Sequence, residues 1–203
     1  MRHHTPDDIL VLHSRGELSI PKSILIEVHL TTCPLCRRRL AIYEEVAAEQ
    51  LLASDEAPLP PFQALLGRLN EPEPAPRTVL HPDLPAPLAQ VEFGSWRWLA
   101  PFTRGRAASL ETEGDLPLLL IEMSAGARLH HLDGGTERAA ILSGGWTDQD
   151  GQVQAGDLVW HDPHEGIHEQ RIDDGEPCLA LVLNDAKTTP TGLIRPFRSW
   201  FKV

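Results

Sequence analysis

Three side chains with metal-ligand chemistry stand in one short run, Val28-His29-Leu30-Thr31-Thr32-Cys33-Pro34-Leu35-Cys36. The spacing is H-x-x-x-C-x-x-C. Two cysteines separated by two residues can turn both sulfurs inward on a tight turn, and a histidine one helical turn upstream can reach the same point. Zinc at structural sites takes Cys and His in sets of four, so the run leaves one ligand to be supplied from elsewhere. The nearest upstream candidates are His3, His4 and His13. A chain carrying such a run is constrained to bring a distant residue back to this turn.

Length and charge narrow the setting. The 203 residues suffice for one large domain or two small ones. No apolar run approaches the roughly 18 residues expected of a membrane span, and the N-terminus lacks the pattern of a signal peptide, so a cytoplasmic protein with no membrane partner is expected. Three cysteines are an odd count and too few for a disulfide framework. The formal net charge of -11 argues against direct contact with DNA or RNA and favours a small ligand or a basic protein partner.

The chain changes character along its length. Asp7-Asp8 ahead of Ile9-Leu10-Val11-Leu12 suits a helix start, and Gly16 suits its end. Pro21 can begin a second helix, with Ser19 as its cap and an end near Leu30. Thr32 or Cys33 can cap a third, opened by Pro34, whose Leu40, Tyr43, Val46, Ala47, Gln50 and Leu51 follow an amphipathic spacing. A short fourth helix is expected at residues 62–69. Residues 71–87 hold six prolines and predict a semi-rigid linker. Beyond it, short apolar runs cut by Gly and Asp predict strands at residues 95–103, 116–123, 138–142, 158–160 and 178–183. The expectation is an α+β chain of two domains: a helical, metal-binding module over 1–70, a proline-rich linker over 71–88, and a small β-barrel or sandwich over 89–203. Cys178, among Leu179, Ala180, Leu181 and Val182, is expected to be a buried small hydrophobe.

A thioredoxin-like redox pair would need a βαβ unit around the C-x-x-C, and none is visible. Zinc in a helical module is the better account. Residues 3–40 resemble the N-terminal module of zinc-dependent anti-sigma factors of the ChrR type, through His3-His4-x-x-Asp7-Asp8 and then H-x-x-x-C-x-x-C. The resemblance implies that His4 joins His29, Cys33 and Cys36 on zinc. A module of this size has a small core, and a structural metal can supply folding free energy that the core lacks.

The second half carries a further resemblance. Gly126 through Glu137, followed by Gly144, is similar to the first cupin motif, G-x5-H-x-H-x3–4-E-x6-G. Counted back from Glu137, the two histidine positions hold His131 and Asp133, so aspartate stands where the motif has histidine. Gly156-Asp157 and the residues after it follow the second motif loosely, with His168 at the ligand position. The resemblance implies a jelly-roll-like cupin barrel in which His131, Asp133, Glu137 and His168 hold a second divalent metal, with His130, His161 and His164 close by in sequence.

ChrR-type proteins join these same two units through a proline-containing linker. The resemblance therefore implies an anti-sigma factor: the helical module binds an extracytoplasmic-function sigma factor, and the cupin senses singlet oxygen or organic peroxide and releases it. It implies no catalytic residue. The alternative from another class is a metal-dependent cupin enzyme such as a dioxygenase, which would use the same barrel ligands.

Overall fold

The structure is a computed structural model that describes residues 4–53, 83–110, 118–130, 137–161 and 169–184. The expected helix at 62–69 and most of the proline-rich segment lie outside the described residues.

Among the described residues, three helices come first. Helix α1 spans Asp7–Ser14 with both aspartates in its first turn, where their charge meets the positive end of the helix dipole. It ends as Gly16 suggests. Gly16 takes φ 69°; its N–H donates to the His13 carbonyl, and the Glu17 N–H reaches back to Leu12. That pair of bonds is a Schellman stop. Helix α2 spans Ile20–Thr32 with Pro21 in the first turn. Ser19 sits at its N-cap, but its hydroxyl makes no capping bond. Cys33 ends α2 in an extended conformation, and Pro34 starts α3, which runs Pro34–Ala53. The Arg37 guanidinium donates to the Leu30 and Thr31 carbonyls at 2.6 and 3.1 Å, so α3 closes the open end of α2.

Among the described residues ten strands follow: β1 Arg97–Ala100, β2 Thr103–Ala107, β3 Leu119–Met123, β4 Arg128–His130, β5 Glu137–Ser143, β6 Gly145–Asp148, β7 Gly151–Gln154, β8 Leu158–His161, β9 Glu169–Ile172 and β10 Cys178–Asn184. They form a six-stranded sheet, β1-β2-β3-β10-β5-β8, and a four-stranded sheet, β4-β9-β6-β7. Every pairing is antiparallel. The fold is thus α+β, helices first and an antiparallel double sheet after, in keeping with the expected class.

The larger sheet is a middle layer. Its strands bury alternate residues on opposite faces. Leu120, Ala140, Leu158, Leu181 and Leu183 join Leu10, Leu25, Ile26 and Val28 of the helices in one core. Met123, Ala139, Ile141, Val159, Ala180 and Val182 join Trp146, Val153 and Ile172 of the smaller sheet in another. Strand β10 is therefore apolar on both faces, because both are covered. Helix α2 lies directly on β5 and β10, and Leu88 and Val91, just after the proline-rich segment, pack into the helix–sheet core.

The expected strand over 95–103 holds β1 and only the first residue of β2. The chain reverses at Pro101-Phe102, where Phe102 takes φ 63°, and β1 returns alongside β2. No glycine marks that turn; Pro101 presets its own φ, and a phenylalanine in the left-handed region is uncommon. Strand β2 beyond Thr103 and strands β4, β6, β7 and β9 fall outside the expected strands; the last four were not foreseen. They are short and mostly polar: of β9, Glu-Gln-Arg-Ile, only Gln170 and Ile172 are buried.

A candidate metal centre at the helix–sheet seam

The junction of α2 and α3 gathers the candidate ligands. Ending α2 at Cys33 and restarting at Pro34 puts Cys33 and Cys36 on one tight turn, with the Cys36 N–H donating to Cys33 Sγ at 3.4 Å. His29 is one turn back on α2. The segment before α1 returns His4 to the same point. His29 Nε2 lies 3.3 Å from Cys36 Sγ, and His4 Nδ1 lies 3.3 Å from Cys33 Sγ and 3.7 Å from Cys36 Sγ. One ligand atom from each of the four lies within 4.8 Å of the others. In a tetrahedral zinc site, metal bonds of about 2.0–2.3 Å separate neighbouring donors by about 3.4–3.8 Å. The observed spacing and the Cys2His2 donor set fit that ion. Of the upstream histidines, His4 is in this group and His13, on α1, is not; His3 lies outside the described residues. Among the described residues no other cluster of three or more His, Cys, Asp or Glu meets these distances.

The site is closed to water on three sides. Cys33 and Cys36 have no exposed surface and His29 is 1% exposed. Burial pushes the Cys36 thiol above its ordinary range, with the main chain of Thr5 opposing it. Burial also lowers His29, favouring the neutral imidazole that a metal requires. Its other nitrogen, Nδ1, is 2.9 Å from the Gly156 carbonyl in the turn between β7 and β8. Nothing in the sequence pointed to this partner: a main-chain acceptor has no residue type, and it lies 127 positions away.

The expected barrel ligands fall mostly outside the described residues. His131, Asp133 and His168, with His164, lie outside the described residues. For Glu137, His161 and His130 only the main chain is described. Glu137 and His161 are register partners of β5 and β8, and His130 pairs with Glu169 between β4 and β9.

Cys178 is buried in the core between the two sheets, as expected. Burial, with Asp173 and Glu176 adding to it, pushes its thiol up to about 12. Folding raises this pKa, so the contribution to stability is whole below the ordinary thiol range and is lost as pH climbs toward about 12. Iodoacetamide at pH 8 should leave Cys178 unmodified in the native protein and label it fully in denaturant, as read by peptide mass spectrometry. Fast native labelling would mean that the core opens.

No family model matches the chain. Anti-sigma-E factor ChrR of Cereibacter sphaeroides is 30% identical over 197 residues, covering 92% of this chain and 91% of that one. The crystal structure of Rhodobacter sphaeroides SigE in complex with the anti-sigma ChrR matches with a TM-score of 0.74 and 25% identity, over 91% of this chain and all of that one. A Ralstonia eutropha protein of unknown function with a cupin-like fold matches 52% of this chain and 79% of its own, at 14% identity and a TM-score of 0.41. Among the described residues no helix is long and apolar enough to cross a membrane. With identity at that level along nine-tenths of both sequences, the chain belongs to the ChrR family of anti-sigma factors.

Proposed function

We propose that this protein binds an extracytoplasmic-function sigma factor through its helical module, with zinc on His4, His29, Cys33 and Cys36, and so keeps the sigma factor from RNA polymerase in the cytoplasm. The observation that carries the reading is the kinship with ChrR along nearly the whole chain, ChrR being the partner of SigE in the crystal structure of that complex. It favours a regulator over the cupin dioxygenase.

The surface of α3 supports it. Leu40 and Tyr43 pack inward against the helical core. Leu35, Ile42 and Val46 face out, at 37%, 58% and 46% exposure. Their spacing makes one stripe along the helix, the form in which an amphipathic helix enters a partner's groove. Exposed Glu45 and Glu49 border the stripe, and together with the acidic balance of the chain they suit a basic, DNA-binding partner.

The division of labour is also a proposal: a zinc-binding module over 1–70, a linker over 71–88, and a cupin unit over 89–203. In the cupin unit, His131, Asp133, Glu137 and His168 hold a second divalent metal and respond to singlet oxygen or organic peroxide. The test is co-expression with the sigma factor encoded beside the gene. The two proteins are expected to co-purify. Glu137→Ala with His168→Ala is expected to leave the complex intact and to abolish its release by tert-butyl hydroperoxide. Failure of the wild-type chain to capture the sigma factor would overturn the main reading. Undiminished release in the double variant would overturn the sensor assignment alone.

A further inference from the structure

We infer that the β7–β8 turn of the sheet is a working part of the helical metal centre: its Gly156 carbonyl holds His29 in the tautomer that ligates. The inference rests on the reading of the four converging residues as a metal site. His29 has two ring nitrogens facing two different partners. Nδ1 is 2.9 Å from the Gly156 oxygen, and a carbonyl can only accept, so Nδ1 carries the proton. Nε2 is then left with its lone pair, directed at the Cys36 sulfur 3.3 Å away. That is the arrangement of a metal-bound histidine oriented by an outer acceptor. The acceptor normally comes from the ligand's own surroundings. Here it comes from the other half of the molecule, across the helix–sheet seam.

The turn is built to hold that oxygen still. Gly156 takes φ 92°, a conformation open to glycine at little cost. Its N–H donates to Ile141 and the Ile141 N–H donates to Asp157, tying the turn to β5 in both directions. The Asp157 carboxylate accepts the Gln154 N–H at 3.0 Å and is 1% exposed. Asp157 also sits close enough to His29 for its charge to bear on the ring. His29 is buried beneath this turn, at 1% exposure, so water is not at hand to replace the carbonyl.

The consequence is a coupling between the sheet and the metal. Moving the sheet off α2 withdraws the only acceptor shown for His29 Nδ1 among the described residues and frees the ring to turn. By linkage, metal that fixes His29 also fixes α2 to the sheet. A signal that distorts β5, β7 or β8 would then reach the helical module through one hydrogen bond.

Cobalt(II) is the probe, because its thiolate charge-transfer absorbance reports on the Cys33–Cys36 site and on no oxygen–nitrogen site in the barrel. In the full-length chain, Gly156→Ala and Asp157→Asn are expected to weaken cobalt binding by about 10–100-fold, the usual cost of losing an outer-shell partner. Gly151→Ala controls for backbone strain: Gly151 takes φ 128° at the start of β7, just after the β6–β7 turn, and the variant is expected to bind cobalt as wild type does. Long-range proton–nitrogen NMR of the zinc-loaded wild type should place the proton on His29 Nδ1 and show it exchanging slowly. Cobalt affinity within about twofold of wild type in both turn variants, or a proton found on Nε2, overturns the inference. Should either variant fail to fold, the NMR result on the wild type decides. A wild-type chain that shows no thiolate band overturns the metal reading itself, which is a distinct result.

Discussion

Replacing Cys33 and Cys36 together by serine is expected to empty the helical site and unfold α1–α3. Both sulfurs are fully buried. Serine hydroxyls in their place would bind zinc poorly, and each buried without a partner would cost about 1–3 kcal/mol. The larger loss is the metal. Structural zinc supplies apparent folding free energies of about 10–16 kcal/mol in small zinc-finger peptides. The helices bring few buried aliphatics of their own, Leu10, Leu25, Ile26, Val28 and Leu30, and these pack on the larger sheet rather than on one another alone. Cobalt affinity should fall by more than about a thousandfold. Amide exchange should show α1–α3 opening while the strands stay protected. His4→Ala is expected to be milder, since His4 is only half-buried and water can take the fourth position. A double-serine variant that keeps its metal and its melting temperature would mean that the four residues are not a structural site.

Reversing the character of the α3 stripe is expected to separate binding from folding. Ile42→Asp with Val46→Asp places two carboxylates where the partner's groove needs apolar contact. Truncation of a hot-spot residue typically costs 2 kcal/mol or more, and a buried unpaired charge costs more than a truncation. The pair should weaken capture of the sigma factor by about 100- to 10,000-fold. Both side chains are about half exposed, so the free protein should melt as wild type does. Calorimetry with the purified sigma factor reads the first effect and thermal unfolding the second. Unchanged affinity would move the interface off this face of α3.

Much of the centre was legible because its signals are local. Cys33, Cys36 and His29 announce themselves by residue type and by spacing on one turn. Gly16 and Pro21 bound their helices through backbone geometry that belongs to each residue alone. The fourth member of the cluster was not legible from spacing, which left His3, His4 and His13 open. Resemblance pointed to His4, and the structure has His4 Nδ1 beside both sulfurs. The strands divide in the same way. Strands β5, β8 and β10 carry dense apolar runs and were foreseen. Strands β6, β7 and β9 each bury one or two side chains and β4 half-buries Leu129, too few for a pattern of period two to stand out. The β1–β2 reversal at Phe102 rests on a residue that rarely takes a left-handed conformation.

The sequence alone determined three members of the cluster, the order of helices before strands and the acidic balance, because each depends on residue identity and near-neighbour spacing. Only the tertiary structure decided that α2 lies on β5 and β10 and that His29 is oriented from the sheet. That choice depends on a main-chain oxygen brought near by packing. An acceptor common to every residue leaves no mark in the order of side chains.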